Sequence, residues 1–104
     1  METLIVRVAA VPAAVLVRFV GELDAETAVR ARAQALAAID QPGEFIVLDL
    51  SELRFCDATG IRLIFSLGTA FAEAGRRFVV RRPTGVVRRV LELSGAERMV
   101  IIDT

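Results

Sequence analysis

The sequence has no histidine, and Cys56 is its single cysteine among 104 residues. Histidine is the commonest general base and the commonest metal ligand, so its absence argues against Ser-His-Asp hydrolases and zinc sites. One cysteine cannot form an internal disulfide or a paired redox or metal site. We therefore expect a protein without catalytic activity, metal or cofactor, in a reducing compartment.

Net charge and long apolar runs are also missing. The 13 basic residues, all arginine, balance 13 acidic residues, so no overall field attracts nucleic acid or an anionic membrane. No segment reaches the roughly 20 uninterrupted apolar residues that span a bilayer, and the N-terminus lacks a signal-peptide pattern. These features predict a cytoplasmic protein that neither binds nucleic acid nor inserts into a membrane.

The apolar runs that are present predict one α/β domain. Apolar residues make up 55% of the chain and charged residues 25%, which is ordinary for a globular protein. Strands are predicted at 3–11, 13–21, 44–50, 76–82 and 98–103, with three helices between the later ones. This alternation predicts a mixed, mainly parallel sheet of about five strands with helices packed on it. The nearly solid apolar run "EFIVLDL" further predicts a third strand covered on both faces.

The flanking helices are predicted from their apolar spacing. The first is predicted to start at an Asp24 cap and stop at the "QPG" sequence, with Val29 on its inner side. The third covers "PTGVVRRVLELSG", with Val86 inward and Gly95 as its stop.

The middle helix follows the most informative stretch, "LDLSELRFCDATGIRLI". Asp57 is placed to cap a helix over 58–74, because its carboxylate can accept hydrogen bonds from the first-turn amides. At 100° per residue the outward stripe contains Thr59, Arg62, Ser66, Thr69 and Glu73. A phosphate on Thr59 would add roughly two negative charges to this exposed surface and could repel a docked partner.

Other interpretations of the same residues stay open. Asp57, Thr59 and Gly60 also fit an ordinary helix start. "DATG" lacks the lysine and glycine spacing of a nucleotide loop, and an acid pair of Asp49 and Asp57 would lack a histidine or a set of metal ligands. Cys56 fits a small buried packing residue better than a reactive thiol.

The predicted elements, in this order along the sequence, resemble the STAS domain family, in particular the bacterial anti-sigma-factor antagonists. The resemblance runs from about Leu4 to Asp103 and covers almost the whole chain. Its most specific part is an apolar strand ending in "DL", then "DATG", a long helix, a glycine, another strand and "VLELSG". It implies a single STAS domain over residues 1–104.

The resemblance implies binding to an anti-sigma factor that is also a serine/threonine kinase, which frees a sigma factor. The kinase would then phosphorylate the hydroxyl residue before the motif glycine, and a phosphatase would reverse this. By position the acceptor is Thr59, although many relatives have two serines where this chain has Ala58 and Thr59. The implied partner-binding residues are Asp57, Ala58, Thr59, Gly60, Arg62, Ser66 and Thr69.

Two other functions of STAS-like modules remain open. One is a scaffold or transport-system subunit that binds proteins without a phosphorylation cycle, and the other is a small-ligand or nucleotide-binding module. If the chain is an anti-sigma-factor antagonist that a kinase phosphorylates, we expect it to be a monomer.

Overall fold

A five-stranded sheet organises the protein in this computed structural model, which describes residues 3–94 and 99–104. The strands are β1 (Leu4–Val11), β2 (Ala14–Leu23), β3 (Phe45–Cys56), β4 (Arg77–Arg81) and β5 (Met99–Ile102). They lie side by side in chain order. β1 is antiparallel to β2, and every other neighbouring pair is parallel. The predicted α/β class and mainly parallel sheet are confirmed.

Three helices connect the parallel strands. They are α1 (Ala28–Leu36), which continues as a 3₁₀ turn (Ala37–Asp40), α2 (Ala58–Glu73) and α3 (Gly85–Leu93). Successive strands step in one direction across the sheet, so right-handed crossovers place all three helices on the same face. The predicted stop at Gly95 lies outside the described residues.

The core lies between that face and the helices. β2 alternates strictly, with Val15, Val17 and Phe19 fully buried and the residues between them half-buried. These side chains form one cluster with buried residues of β3, β4 and the helices. Phe71 of α2 meets Phe78 of β4 edge to face, at 5.3 Å between ring centroids, an arrangement that aromatic pairs favour.

The prediction that β3 is covered on both faces is wrong. Ile46 and Leu48 are fully buried, but Phe45 and Val47, which point to the other face, are only half-buried. Residues of other strands on that second face are exposed, including Val100 at 56%. The outward residues of β3 are apolar because they pack against side chains of the adjacent strands on the same face, and not because a second layer of helices covers them.

A row of charges crosses this outer face. Arg18 pairs with Asp49 and Asp49 pairs with Arg81 across three strands. The Arg18 Nε and Arg81 Nη1 atoms lie 3.5 and 4.0 Å from Asp49 Oδ2. Burial raises the pKa of Asp49, but hydrogen bonds from Ser51 and the two guanidinium groups lower it more, so the pKa lies below its usual value. Asp49 therefore has a structural role on the face opposite the helices.

Two valines predicted to point inward are exposed, Val29 at 81% and Val86 at 67%. On α1 the inward stripe consists of alanines, including Ala28, Ala31 and Ala35. These small side chains let the helix lie close to its neighbours, which turns Val29 outward. Asp24 does not cap α1 directly, because its Oδ1 accepts hydrogen bonds from the Glu26 and Thr27 amides in the preceding turn.

Candidate functional site

Asp57 fixes the start of α2, as the sequence predicted. Its backbone is extended, and its Oδ1 accepts a hydrogen bond of 2.9 Å from the Gly60 amide. The Asp57 amide also donates to the Leu23 carbonyl oxygen at 3.2 Å, which ties the helix start to the end of β2. A side-chain cap of this kind stabilises a helix by about 1 kcal/mol.

Gly60 lets the first turn pack closely against the sheet. A Cβ at this position would lie 2.7 Å from Cys56 Sγ and 2.9 Å from the Leu23 Cγ atom and carbonyl oxygen. Since no real side chain tolerates such distances, the site requires glycine for space rather than for its backbone angles. Gly60 is buried, so it supports the site from beneath instead of contacting a partner.

Thr59 is the second residue of α2 and is half-buried. Its Oγ1 accepts a hydrogen bond of 3.4 Å from Arg62 Nη2, one turn further along the exposed side of the helix. Thr59 also lines an open groove between α1 and α2. The hydroxyl group is therefore reachable from outside and has a guanidinium group beside it.

The rest of the predicted stripe lies on the outer side of α2. Arg62, Thr69 and Glu73 are exposed, and Ser66 is half-buried. The Ser66 hydroxyl donates to the Leu63 carbonyl oxygen at 2.8 Å. Exposed Ala58 lies at the same end as Thr59. The structure thus places the predicted partner-binding residues, apart from buried Gly60, on one accessible surface.

Sequence reasoning missed the contribution of α1 to this surface. The open groove has a volume of about 260 Å³. We call it the α1/α2 groove, and it is lined by Ala28, Val29 and Arg32 of α1 and by Thr59, Arg62 and Leu63 of α2. Arg32 Nε donates to Ser66 Oγ at 3.3 Å across the groove. The row of alanines on the inner side of α1 is the sequence feature from which the outward positions of Val29 and Arg32 could have been predicted.

Cys56 lies directly beneath the start of α2. Its Sγ donates weakly to the Asp57 carbonyl oxygen at 3.6 Å. Burial, with a smaller effect of the Asp57 carboxylate, raises the pKa of Cys56 to about 11. The thiol therefore stays protonated at neutral pH, which fits the structural interpretation of this residue.

A second cavity of about 290 Å³ lies where β3 ends and α3 begins. Leu50, Phe55 and Cys56 line it on the strand side, and Thr84 and Val86 line it on the helix side. Within residues 3–94 and 99–104, no group of three potential metal ligands comes together. No helix in those ranges is long and apolar enough to cross a membrane.

Comparison with known proteins gives a family model and solved structures. The model described as "Mlab, STAS domain" matches residues 6–102. The phosphorylated form of the Bacillus cell fate determinant SpoIIAA is 24% identical, with a TM-score of 0.73, over 93% of this chain and 90% of that one. An anti-sigma factor antagonist from Mycobacterium paratuberculosis is 18% identical, with a TM-score of 0.81, over 98% of this chain and 87% of that one.

The same fold also occurs inside a much larger protein. The murine Slc26a9 anion transporter is 14% identical, with a TM-score of 0.73, over 96% of this chain but only 20% of the transporter. At these identities the structural matches establish the fold.

Proposed function

This chain belongs to the STAS domain family, whose model matches residues 6–102, and from that premise we propose that it is an anti-sigma-factor antagonist. In this proposal it acts in the cytoplasm as a monomer and binds an anti-sigma factor with serine/threonine kinase activity. That binding frees a sigma factor for transcription. The similarity in fold to an anti-sigma factor antagonist from Mycobacterium paratuberculosis supports the proposal.

The position of the Thr59 hydroxyl carries the proposal. It lies in the first turn of a capped helix, at the edge of an open groove and outside the core. In the proposed reaction the kinase transfers the γ-phosphoryl group of ATP to Thr59 Oγ1, releasing ADP and the hydroxyl proton. A phosphatase would hydrolyse the ester to threonine and inorganic phosphate. The existence of a phosphorylated form of SpoIIAA, which has the same fold, supports this cycle.

Phosphate on Thr59 would weaken partner binding by changing charge at a fixed surface. The group carries about −1.5 to −2 charges at pH 7. The cap at Asp57 already places one carboxylate beside the same turn. The fold would persist, because the modified oxygen is not part of the core.

The test is transfer of phosphate from the anti-sigma kinases encoded in the same genome, with ATP, followed by mass spectrometry of the peptide containing Thr59. Thr84→Ala is the matched control, because Thr84 is also a threonine that precedes a glycine at a helix start, and it is more exposed than the half-buried Thr59. We expect Thr59→Ala to accept no phosphate and Thr84→Ala to accept as much as the wild type. Full labelling of Thr59→Ala would refute the assignment.

Binding of the same kinase tests whether negative charge at Thr59 weakens the association. We expect Thr59→Glu to raise the dissociation constant by about tenfold or more, since each factor of ten corresponds to about 1.4 kcal/mol. Thr84→Glu should bind like the wild type. Equal weakening by both variants would show that negative charge acts on the whole chain rather than at Thr59.

A second candidate is a subunit of a transport assembly that binds protein partners without phosphorylation. The occurrence of this fold within the murine Slc26a9 anion transporter favours it. In that case the chain would co-purify with membrane ATPase components from its own cells, and Thr59 would stay unmodified there. Detection of phosphorylated Thr59 in those cells would favour the antagonist instead.

A further inference from the structure

Two arginines of the α1/α2 groove form hydrogen bonds to hydroxyl groups. Arg62 bonds to the Thr59 hydroxyl and Arg32 bonds to the Ser66 hydroxyl. Across the described ranges 3–94 and 99–104, neither guanidinium lies within 4.0 Å of a carboxylate. By contrast, Arg18, Arg77 and Arg88 all lie in ion pairs. The groove therefore holds two positive charges that no carboxylate of the described residues neutralises.

Apolar surface lies beside these charges. Val29 is 81% exposed, although a valine gains free energy when it leaves water. Ala28 and Leu63 form a buried apolar floor next to it. A protein segment with an apolar side chain could cover Val29, and a carboxylate beside that side chain could reach a guanidinium group. Arginine and carboxylate often form paired hydrogen bonds of fixed geometry.

Thr59 joins this groove to the proposed switch. Its Oγ1 lies 3.4 Å from Arg62 Nη2. A phosphoryl group bonded to that oxygen would place further oxygens within reach of the guanidinium without a movement of the backbone. Arginine pairs with phosphate by the same two-pronged geometry that it uses for carboxylate. Phosphate on Thr59 and an acidic partner group would thus compete for Arg62.

We propose that the α1/α2 groove receives a segment of the partner protein that presents a carboxylate next to an apolar side chain, and that phosphate on Thr59 displaces this segment by pairing with Arg62. The inference rests on the proposed function and names the partner's chemistry at the same site. It also adds Val29 and Arg32 of α1 to the docking surface. Inhibition then arises from an intramolecular competitor as well as from repulsion.

The first test needs no partner. The full chain with phosphothreonine at position 59, introduced by genetic-code expansion, is titrated by ³¹P NMR. A neighbouring guanidinium favours the doubly charged phosphate and so lowers its second pKa, which is ordinarily about 6. We expect Arg62→Gln to raise that pKa by about half a unit, as for an exposed ion pair. The matched control Arg89→Gln, at an exposed arginine of α3, should leave it unchanged.

The same titration can overturn the proposal. An equal phosphate pKa in the wild type and in Arg62→Gln would show that Arg62 does not hold the phosphate. Circular dichroism should give the same melting curve for both variants, because both arginines are exposed. A difference in the pKa could then not be attributed to unfolding.

The second test measures binding to the kinase that phosphorylates the chain. We expect Arg32→Gln, Arg62→Gln and Val29→Ser each to raise the dissociation constant by about fivefold to tenfold, the effect expected of the minority of interface side chains that carry much of the binding energy. Arg89→Gln and Val86→Ser are matched controls on α3 and should stay within about twofold of the wild type, since they lie outside the interface. Binding of the three groove variants at wild-type strength would refute the docking site.

Competition for Arg62 predicts that the two effects are not additive. In the Arg62→Gln background, Thr59→Glu should weaken binding less than it does in the wild type, because the Arg62 guanidinium, for which the glutamate and the partner's carboxylate compete, is absent. Full additivity would leave repulsion as the whole mechanism and refute the competition. If Val29→Ser changed the sedimentation of the free chain but left kinase binding unchanged, the occupant would be a second copy, contrary to the proposal.

These outcomes separate the two levels of inference. If no anti-sigma kinase binds or phosphorylates the chain, the proposed function fails, whereas the pairing of phosphothreonine with Arg62 can still be measured. If the kinase binds but the groove variants bind equally well, the proposed function stands and the groove assignment fails.

Discussion

A Thr-Gly pair lies at the start of two helices of this protein, and the two pairs differ in capping and packing. Thr59 and Gly60 lie inside the first turn of α2, after the capping residue. Thr84 is itself the N-cap position of α3, and Gly85 is the first helical residue. The Asp57 side chain caps α2, whereas no side-chain hydrogen bond caps α3.

The packing beneath the two glycines differs as well. A Cβ on Gly60 would meet Cys56 Sγ at 2.7 Å, whereas a Cβ on Gly85 would meet nothing within 4 Å. Gly85 instead has a φ of +55°, a conformation that favours glycine. The comparison shows that the presence of a side-chain cap and the atoms packed beneath the glycine of each Thr-Gly pair determine how the helix begins. The start of α2 is capped and closely packed, whereas the start of α3 has no side-chain cap and no atoms close beneath its glycine.

Substitution of each glycine by alanine should give the largest contrast. We expect Gly60→Ala to lower the free energy of unfolding by about 3 kcal/mol, because the new methyl group overlaps backbone and side-chain atoms. Gly85→Ala should cost about 1 kcal/mol, since it strains only the backbone. Urea denaturation measures both values. Equal losses would break the comparison.

The pH dependence of stability reports on the thiol beneath the α2 start. The folded pKa of Cys56 is about 11, above that of an exposed thiol, so the folded state holds its proton more tightly. The thiol should therefore leave stability unchanged below about pH 9 and lower the free energy of unfolding by about 2 kcal/mol as the pH rises toward 11. The chain has no lysine or tyrosine, so few other groups titrate there. Cys56→Ala should abolish the dependence, and its persistence would show another cause.

Removal of each cap side chain tests the difference in capping. We expect Asp57→Ala to lower the free energy of unfolding by about 1 kcal/mol, through loss of the bond to the Gly60 amide. Thr84→Ala should change it by less than about 0.3 kcal/mol, because that side chain makes no capping bond. Thermal denaturation can compare the two. A larger loss for Thr84→Ala would contradict the structure.

A double-mutant cycle sharpens the cause of the Gly60 effect. In the Cys56→Ala background, Gly60→Ala should cost about 1 kcal/mol less than in the wild type, because the closest clashing atom is absent. The Leu23 Cγ atom would still lie 2.9 Å from the added methyl group, so the rescue should be partial. Strict additivity would show that Cys56 does not set the limit on space.

The start of α2 was predictable because its signals are local. Asp57 is followed by a helix that begins at Ala58 in both prediction and structure. The outward stripe from Thr59 was also placed correctly. The same spacing predicts Ile64, Phe65 and Phe71 on the inner side, but Phe65 is half-buried. Leu63 and Leu67 are buried, although that prediction did not include them. Sequence periodicity gives a face but not the depth of each residue within it.

The features that sequence missed depend on contacts between distant elements. Arg32 comes to Ser66 only because α1 packs on α2, 34 residues away along the chain. Val29 turns outward because alanines take the inner positions of α1. The half-coverage of β3 likewise follows from all crossovers lying on one side of the sheet. No local pattern around any of these residues contains that information.

The charge row on the outer sheet face has a consequence for self-association. Another sheet pressed flat against it would have to remove the remaining water from Arg18 and Arg81, whose side chains are 37% and 30% exposed, whereas Asp49 is already buried. Removing water from an ion is costly, so this cost opposes the gain from burying the exposed apolar residues of the same face, such as Ile5 and Val100. This row therefore disfavours stacking of the bare β-surface and leaves the helical side as the one suited to recognition.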